Sequence, residues 1–238
     1  MFRIIIFLVY AALLLILSLP FALLTEAFNK HDLSKPAPRT MQWVADYPIR
    51  LALRLCGVKI DRSGEENLLD TPALYVGNHQ GLADIFIAIS WLGPLKSILA
   101  KKEASKIPVV RLWMKTFDCI FIDRSNPREG LKAINRAAEL LESGRSVVIF
   151  PEGTRSRGPE MGEFKSGAFK AAIKAGVPVV PFAIDDSYSR YDADHRVHPG
   201  TVKLKILPAV EVQGKKTQEI ADEVKDIIQA QLNEFRKD

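Results

Sequence analysis

A histidine and an aspartate five positions apart, His79 and Asp84, carry the first sign of chemistry in the chain. They stand in the run Gly77-Asn78-His79-Gln80-Gly81-Leu82-Ala83-Asp84. Imidazole is the side chain best suited to taking a hydroxyl proton at neutral pH, and a carboxylate beside it can fix its tautomer. On a regular helix five positions would rotate the two onto different faces, so the chain must turn between them. Gly81 permits that turn. Asp84 would then open the following helix, whose N-terminus favours an ionised carboxylate. The competing reading is a helix-capping aspartate beside an ordinary surface histidine.

A second run, Phe150-Pro151-Glu152-Gly153-Thr154-Arg155-Ser156-Arg157, supplies groups of another kind. Gly153 allows close backbone approach, Thr154 can donate a hydroxyl, and Arg155 can hold phosphate oxygens bidentately. A structural turn with a surface arginine would use the same residues. Arg124, in Phe121-Ile122-Asp123-Arg124, offers a second guanidinium, or an ordinary ion pair with Asp123. Lys101 and Lys102 follow a short apolar stretch and add positive charge, or are simply solvated. His31, His195 and His198 lie in polar, turn-rich stretches. Asp192, Asp194, His195 and His198 match no zinc spacing. The two cysteines, Cys56 and Cys119, read as buried or incidental thiols of a reducing compartment.

With Val177-Pro178-Val179-Val180-Pro181 after them, these runs stand in an order that resembles the glycerolipid acyltransferase family. The resemblance covers roughly residues 60 to 210 and includes four motifs. It implies transfer of a fatty acyl group from acyl-CoA or acyl-carrier protein to the sn-2 hydroxyl of 1-acylglycerol 3-phosphate, giving phosphatidic acid. His79 would be the base and Asp84 its orienting partner. The second and third motifs would bind the glycerol phosphate, which assigns Arg124, Glu152, Gly153, Thr154 and Arg155 to the acceptor. Lys101 or Lys102 would add charge at the same rim, and the stretch with Lys165 and Gly167 also matches. The resemblance places Val177–Pro181 on the acyl-donor side, although core packing explains that segment equally well. No metal or organic cofactor is implied, the acyl thioester being a substrate. The chain has no Gly-x-Ser-x-Gly elbow, so the substrate alcohol would take the place of an enzyme serine. Other readings are acylation of another lysolipid or of glycerol 3-phosphate, a thioesterase or lysolipid hydrolase, and a non-catalytic membrane protein that binds anionic lipid.

The flanking sequence bounds where such chemistry would occur. From Ile4 to Thr25 no residue is charged. As one helix this run would reach roughly 33 Å, enough to cross a hydrocarbon core of about 30 Å. It is longer than the core of a usual signal peptide, so it reads as a retained anchor. Pro20 interrupts it, which allows a bent pair of helices lying in one leaflet instead. Arg3 stands alone before the run, whereas Lys30, Lys35 and Arg39 follow it, which puts the downstream chain on the cytoplasmic side. A bacterial inner membrane is the expected location. The formal net charge of +5 suits an anionic lipid surface or a phosphate-bearing substrate. Scattered basic residues without a nucleic-acid fingerprint argue against nucleic acid.

Two parts are expected: 1–58, the anchor and interfacial helices, and 59–238, the acyltransferase domain. Within the first, Trp43, Val44, Tyr47, Leu51 and Leu55 have helical spacing. Beyond it, apolar strands at 73–77, 97–100, 119–122, 146–150 and 177–184 alternate with helices at 84–92, 107–117, 127–143 and 166–175. The alternation predicts an α/β fold with a mostly parallel sheet flanked by helices, after an N-terminal membrane-associated helical segment. Residues 201–207 alternate strictly and read as a further strand. Thr217 is expected to cap a last amphipathic helix with Ile220, Val224, Ile227, Ile228 and Phe235 on its buried side. The polar motifs all follow strands, and in an open parallel sheet the carboxyl ends of the strands share one ligand-binding rim.

Overall fold

The computed structural model describes residues 39–93, 96–123 and 126–237. The apolar run at 4–25, its linker and Arg124 lie outside the described residues. Helix α1 (Arg39–Leu55) leads into β1 (Val58–Ser63), β2 (Leu74–Gly77), α2 (Ala83–Trp91), β3 (Ser97–Lys101), α3 (Pro108–Thr116) and β4 (Ile120–Ile122). Then come α4 (Pro127–Glu142), β5 (Val147–Ile149), α5 (Lys170–Ala175), β6 (Val179–Asp185), β7 (Gly200–Ile206) and α6 (Thr217–Phe235). The seven strands form one sheet in the order β1-β7-β6-β2-β5-β3-β4. From β6 to β4 every pairing is parallel. Strand β7 runs antiparallel to β6, and β1 runs parallel to β7.

The central strands are apolar throughout because both faces of the sheet are covered. Leu74, Val76, Val147, Ile149 and Val179 point to one face, under α4, α5 and α6. Tyr75, Val148, Val180, Phe182 and Ile184 point to the other, under α1 and α2. Helix α6 buries Ile220, Ala221, Val224, Ile228 and Leu232, with Ile227 and Phe235 packed at the margin. Burial of one such aliphatic side chain stabilises by about 1.5–3 kcal/mol. Strand β7 alternates as expected, with Val202, Leu204 and Ile206 buried. Helix α1 belongs to the same packing unit: Leu53 and Cys56 join the core, and the Arg50 guanidinium reaches the Ser90 carbonyl and lies 4.5 Å over the Trp91 ring.

Local chemistry sets the helix ends. Asn126 accepts from the Arg128 N–H at 3.0 Å, with Pro127 at the first position of α4. Thr217, expected as a cap, is instead the first residue of α6; the Glu219 carboxylate reaches back to the Lys216 N–H at 2.9 Å. The expected helix at 166–175 is a 3₁₀ turn at 166–169 followed by α5.

Strand β1 is an element the sequence pattern does not suggest. Val58-Lys59-Ile60-Asp61-Arg62-Ser63 is half polar because it is an edge strand with much of its length exposed. The strand order has one consequence for function. The loops leaving β2, β5, β3 and β4 are neighbours along one edge, and antiparallel β7 returns the segment after β6 to that same edge.

Candidate active site

Strand β2 ends at Gly77, where an added Cβ would lie 2.2 Å from the Phe182 ring. Only glycine lets that ring come so close. Phe182 in turn meets Phe150 edge-on at 5.9 Å, and Phe150 stacks on the His79 imidazole at 4.4 Å and 21°. One wall of the histidine is therefore a packed aromatic column. Asn78 ties the end of β2 to β6: its amide donates to the Ile184 carbonyl and accepts from the Ile184 N–H, both at 2.8 Å.

His79 Nδ1 lies 2.9 Å from Asp84 Oδ2. The turn at Gly81 brings them together, and the Gly81 N–H donates to the same carboxylate oxygen at 2.8 Å. Asp84 sits in the first turn of α2 and is fully buried; His79 is 5% exposed. A carboxylate there accepts, so Nδ1 carries the proton and Nε2 keeps its lone pair.

Two further carboxylates hold this loop. Glu152 Oε1 accepts from the His79 N–H at 2.7 Å, and its Oε2 accepts from the Gly162 N–H at 2.9 Å. Burial pushes the Glu152 carboxyl up from its ordinary value, against the pull of those two donors. Asp192 Oδ2 accepts from the Leu82 N–H at 2.7 Å. The 150–157 segment pairs with the loop through backbone as well. Ser156 and Arg157 donate to the carbonyls of His79 and Gln80 at 2.8 and 3.0 Å.

The second motif loop thus lies directly against the first. Gly153 has φ +72 and a Cβ there would meet Lys165 Nζ at 2.8 Å, so Lys165 reaches over this turn. Thr154 is exposed. Arg155 Nη1 is bonded to Asp192 Oδ1 at 2.6 Å, with about a third of the side chain open to solvent. Glu152, expected to bind the acceptor, has both oxygens occupied by backbone donors. Through the first of these bonds it braces the histidine's backbone. Lys101 and Lys102 stand at the rim, largely exposed, 3.1 Å from Glu103 and 3.7 Å from Asp123. Beside Phe150 opens a cleft of about 340 Å³ lined by Leu99, Ile122, Leu131, Ile149 and Lys165. Among the described residues no group of three His, Cys, Asp or Glu is placed to hold a metal ion.

Residues 59–185 match the acyltransferase family model, more than half of the chain. The chain belongs to the acyltransferase family. Relatives agree. A "probable 1-acyl-sn-glycerol-3-phosphate acyltransferase" of Mycoplasma pneumoniae is 31% identical over 185 residues, 76% of this chain and 70% of that one. The 1-acyl-sn-glycerol-3-phosphate acyltransferase of Pseudomonas aeruginosa is 32% identical over 177 residues, 74% of this chain and 68% of its own. A chloroplastic counterpart from Brassica napus is 35% identical over 179 residues, 74% of this chain. The chain spans about half the length of that plant relative. The crystal structure of the 1-acyl-sn-glycerophosphate (LPA) acyltransferase of Thermotoga maritima superposes with a TM-score of 0.74, covering 98% of each chain at 25% identity.

In this acyltransferase the loop of His79 and Asp84 meets the loop of Glu152, Gly153, Thr154 and Arg155. Lys101 and Lys102 stand at the end of β3 against Glu103 and Asp123, and Arg124 lies outside the described residues. What motif reading missed is Asp192. It lies seven residues past the end of the family match, in a segment whose acidic and histidine residues suggested only an absent metal site. No spacing rule points to it.

Proposed function

We propose that the chain transfers a fatty acyl group from a thioester donor to the sn-2 hydroxyl of 1-acylglycerol 3-phosphate, forming phosphatidic acid. The observation that carries this reading is the buried 2.9 Å contact of His79 Nδ1 with Asp84, in a loop braced against the arginine-bearing one. His79 Nε2 removes the hydroxyl proton as that oxygen attacks the thioester carbon. The resulting imidazolium is stabilised by Asp84, a role known from serine triads. Collapse of the tetrahedral oxyanion breaks the C–S bond, and the departing thiolate takes the proton back from Nε2. The new ester, the free thiol and the resting histidine balance the step.

Arg155 and the basic groups Lys101, Lys102 and Lys165 gather around the acceptor's phosphate monoester, which carries about −1.5 to −2 charge near neutral pH. The cleft beside Phe150 suits an apolar chain, since five of its walls are Leu99, Ile122, Leu131, Ile134 and Ile149. Acyl-CoA and acyl-carrier protein both meet the chemistry. The lipid substrates favour action at a phospholipid surface. Exposed Tyr47, Leu55 and Arg54 on α1 would lie against it on the cytoplasmic side. Among the described residues no helix is long and apolar enough to cross a membrane.

The test is an assay with labelled acyl-CoA or acyl-carrier protein and three acceptors: lysophosphatidate, a phosphate-diester lysolipid and glycerol 3-phosphate. Preferential labelling of phosphatidate is expected. Release of free fatty acid without ester formation would overturn acyl transfer in favour of hydrolysis.

A further inference from the structure

Asp192 links two parts of the site that no sequence motif connects. It lies in the 186–199 excursion between β6 and β7, beyond the segment that matches the family. Its carboxylate is almost completely buried, and each oxygen has a different partner. Oδ2 takes the Leu82 N–H at 2.7 Å, and Oδ1 takes Arg155 Nη1 at 2.6 Å. A buried carboxylate left without partners would cost several kcal/mol, so the pairing is a strong constraint on both. One partner sits in the loop that carries His79; the other is the guanidinium of the second motif.

The excursion is built to hold that carboxylate in place. The Asp192 N–H is bonded to the Tyr188 carbonyl at 2.8 Å. Arg190 donates to Asp186 Oδ2 at 2.7 Å, and the His198 N–H closes on the Arg190 carbonyl at 3.0 Å. Gln80 grips the root of the excursion through the Ser187 N–H at 3.2 Å and Asp185 at 3.3 Å. Asp192 also fills the space next to Gly81, where a Cβ would stand 2.7 Å from Oδ2. A guanidinium offers five N–H donors in a fixed plane. Asp192 engages one nitrogen, Nη1, and about a third of the side chain stays open to solvent, which leaves further donors for a ligand.

We propose that Asp192 is a positioning residue that sets the distance between the phosphate-holding guanidinium of Arg155 and the proton-accepting nitrogen of His79. It would thereby decide which hydroxyl of a phosphate-anchored acceptor reaches the base. The inference rests on the acyl-transfer reading given above. A role confined to holding the fold would lower turnover on every acceptor alike. A positioning role acts on acceptors that use Arg155.

The experiment compares Asp192→Asn, Arg155→Ala and the double variant in the full chain, with lysophosphatidate and a phosphate-diester lysolipid as acceptors. Asp192→Asn should raise KM for lysophosphatidate about tenfold, the scale of coupling between contacting charged groups, and leave KM for the diester nearly unchanged. In the Arg155→Ala background the same substitution should add little to KM. Equal losses on both acceptors, or full additivity in the double variant, would overturn the proposal. Arg190→Gln, which leaves Asp192 intact but loosens its excursion, should show a smaller selective loss; it stands in if Asp192→Asn does not fold. Stabilisation against heat by glycerol 3-phosphate gives a readout free of turnover. Wild type should be stabilised and Asp192→Asn much less so, while equal stabilisation of both would refute positioning. If wild type is stabilised but acylates nothing, the acyl-transfer reading fails and the Asp192–Arg155 link is judged by binding alone.

Discussion

The loop from His79 to Leu82 and the lysine rim after β3 sit on the same edge of the sheet and are held in opposite ways. In the loop, three carboxylates from separate segments grip the backbone. Glu152 takes the N–H of His79, Asp84 that of Gly81, and Asp192 that of Leu82. The His79 and Gln80 carbonyls are bonded to Ser156 and Arg157. At the rim, Lys101 and Lys102 are more than 60% exposed and pair with Glu103 and Asp123 at 3.1 and 3.7 Å. Proton transfer depends on atoms held to within a fraction of an ångström. Attraction of a charged headgroup does not. Buried carboxylates bonded to backbone stand where geometry decides the rate, and solvated charge where only the sign matters.

The largest effect should come from the bonded region. His79→Ala should abolish transfer, with a loss of at least about 10² to 10⁴ from the removal of general-base catalysis. Asp84→Asn should follow closely, because an amide, donor as well as acceptor, no longer enforces the Nδ1–H tautomer and carries no charge to support an imidazolium. Both should remain folded. Single-turnover assays at matched protein levels, with circular dichroism as the control, read this. Near-normal turnover in His79→Ala would break the contrast at its strongest point.

Glu152→Gln tests whether the brace matters as well as the base. Glutamine keeps one oxygen, so one of the two N–H donors, His79 or Gly162, would face an NH₂ group. We expect kcat to fall about 10- to 100-fold, with little change in KM for either substrate, since both carboxylate oxygens are bonded to backbone N–H groups. A rise in KM for lysophosphatidate at constant kcat would return Glu152 to the acceptor site.

These contrasts were legible in the sequence to different depths. His79 and Asp84 meet across one turn, so residue type, spacing and Gly81 suffice to pair them. Strands β2, β5 and β6 announce themselves as uninterrupted apolar runs, because burial on both faces leaves no room for polar residues. Strand β1 does not: its Lys59, Asp61 and Ser63 are exposed at an edge, and its pairing with β7 joins residues about 140 positions apart. Glu152 was visible as part of a motif, but its bond to a backbone N–H 73 residues away is not a property of residue type. Asp192 was least visible. Its role follows from the path of the 186–199 excursion, which only packing determines.

The two ends of β3 repeat the comparison with a single residue type. Lys101 and Lys102 are solvated at the carboxyl end. Lys96, just before the strand, is buried, donates to the Leu92 carbonyl at 2.6 Å and lies 4.1 Å over the Tyr75 ring. Burial outweighs those contacts and pushes its ammonium down to about 7, with Arg62 adding to the shift. Between that value and the ordinary 10.5 the unfolded chain binds a proton that the folded chain does not. Stability from this group therefore rises with pH above about 7, by up to about 1.4 kcal/mol per unit, and is level below it. Urea unfolding at pH 7 and 8.5 should show a steeper rise for wild type than for Lys96→Met. Parallel pH dependences in the two would mean that the lysine is charged in the fold.

The smallest expected effect belongs to the rim. Lys101→Ala and Lys102→Ala each remove an exposed ammonium whose ion pair is worth about 0–1 kcal/mol, so stability should stay within experimental scatter. Their work, on this reading, is to raise the local concentration of an anionic acceptor. Solvated charges act over a screening length of about 10 Å at 0.1 M salt and about 3 Å at 1 M. Each variant should therefore lose about two- to fivefold in kcat/KM for lysophosphatidate at low ionic strength, a loss of 1 kcal/mol or less. The loss should shrink toward nothing as salt is raised. His79→Ala and Glu152→Gln should keep their defects at every salt concentration, because their bonds lie within the protein. The measurement is kcat/KM across a salt series for all four variants. A salt-independent loss at Lys101 or Lys102 would show that the lysine makes a fixed contact with the acceptor, and the division between a bonded catalytic loop and a solvated rim would then fail at that residue.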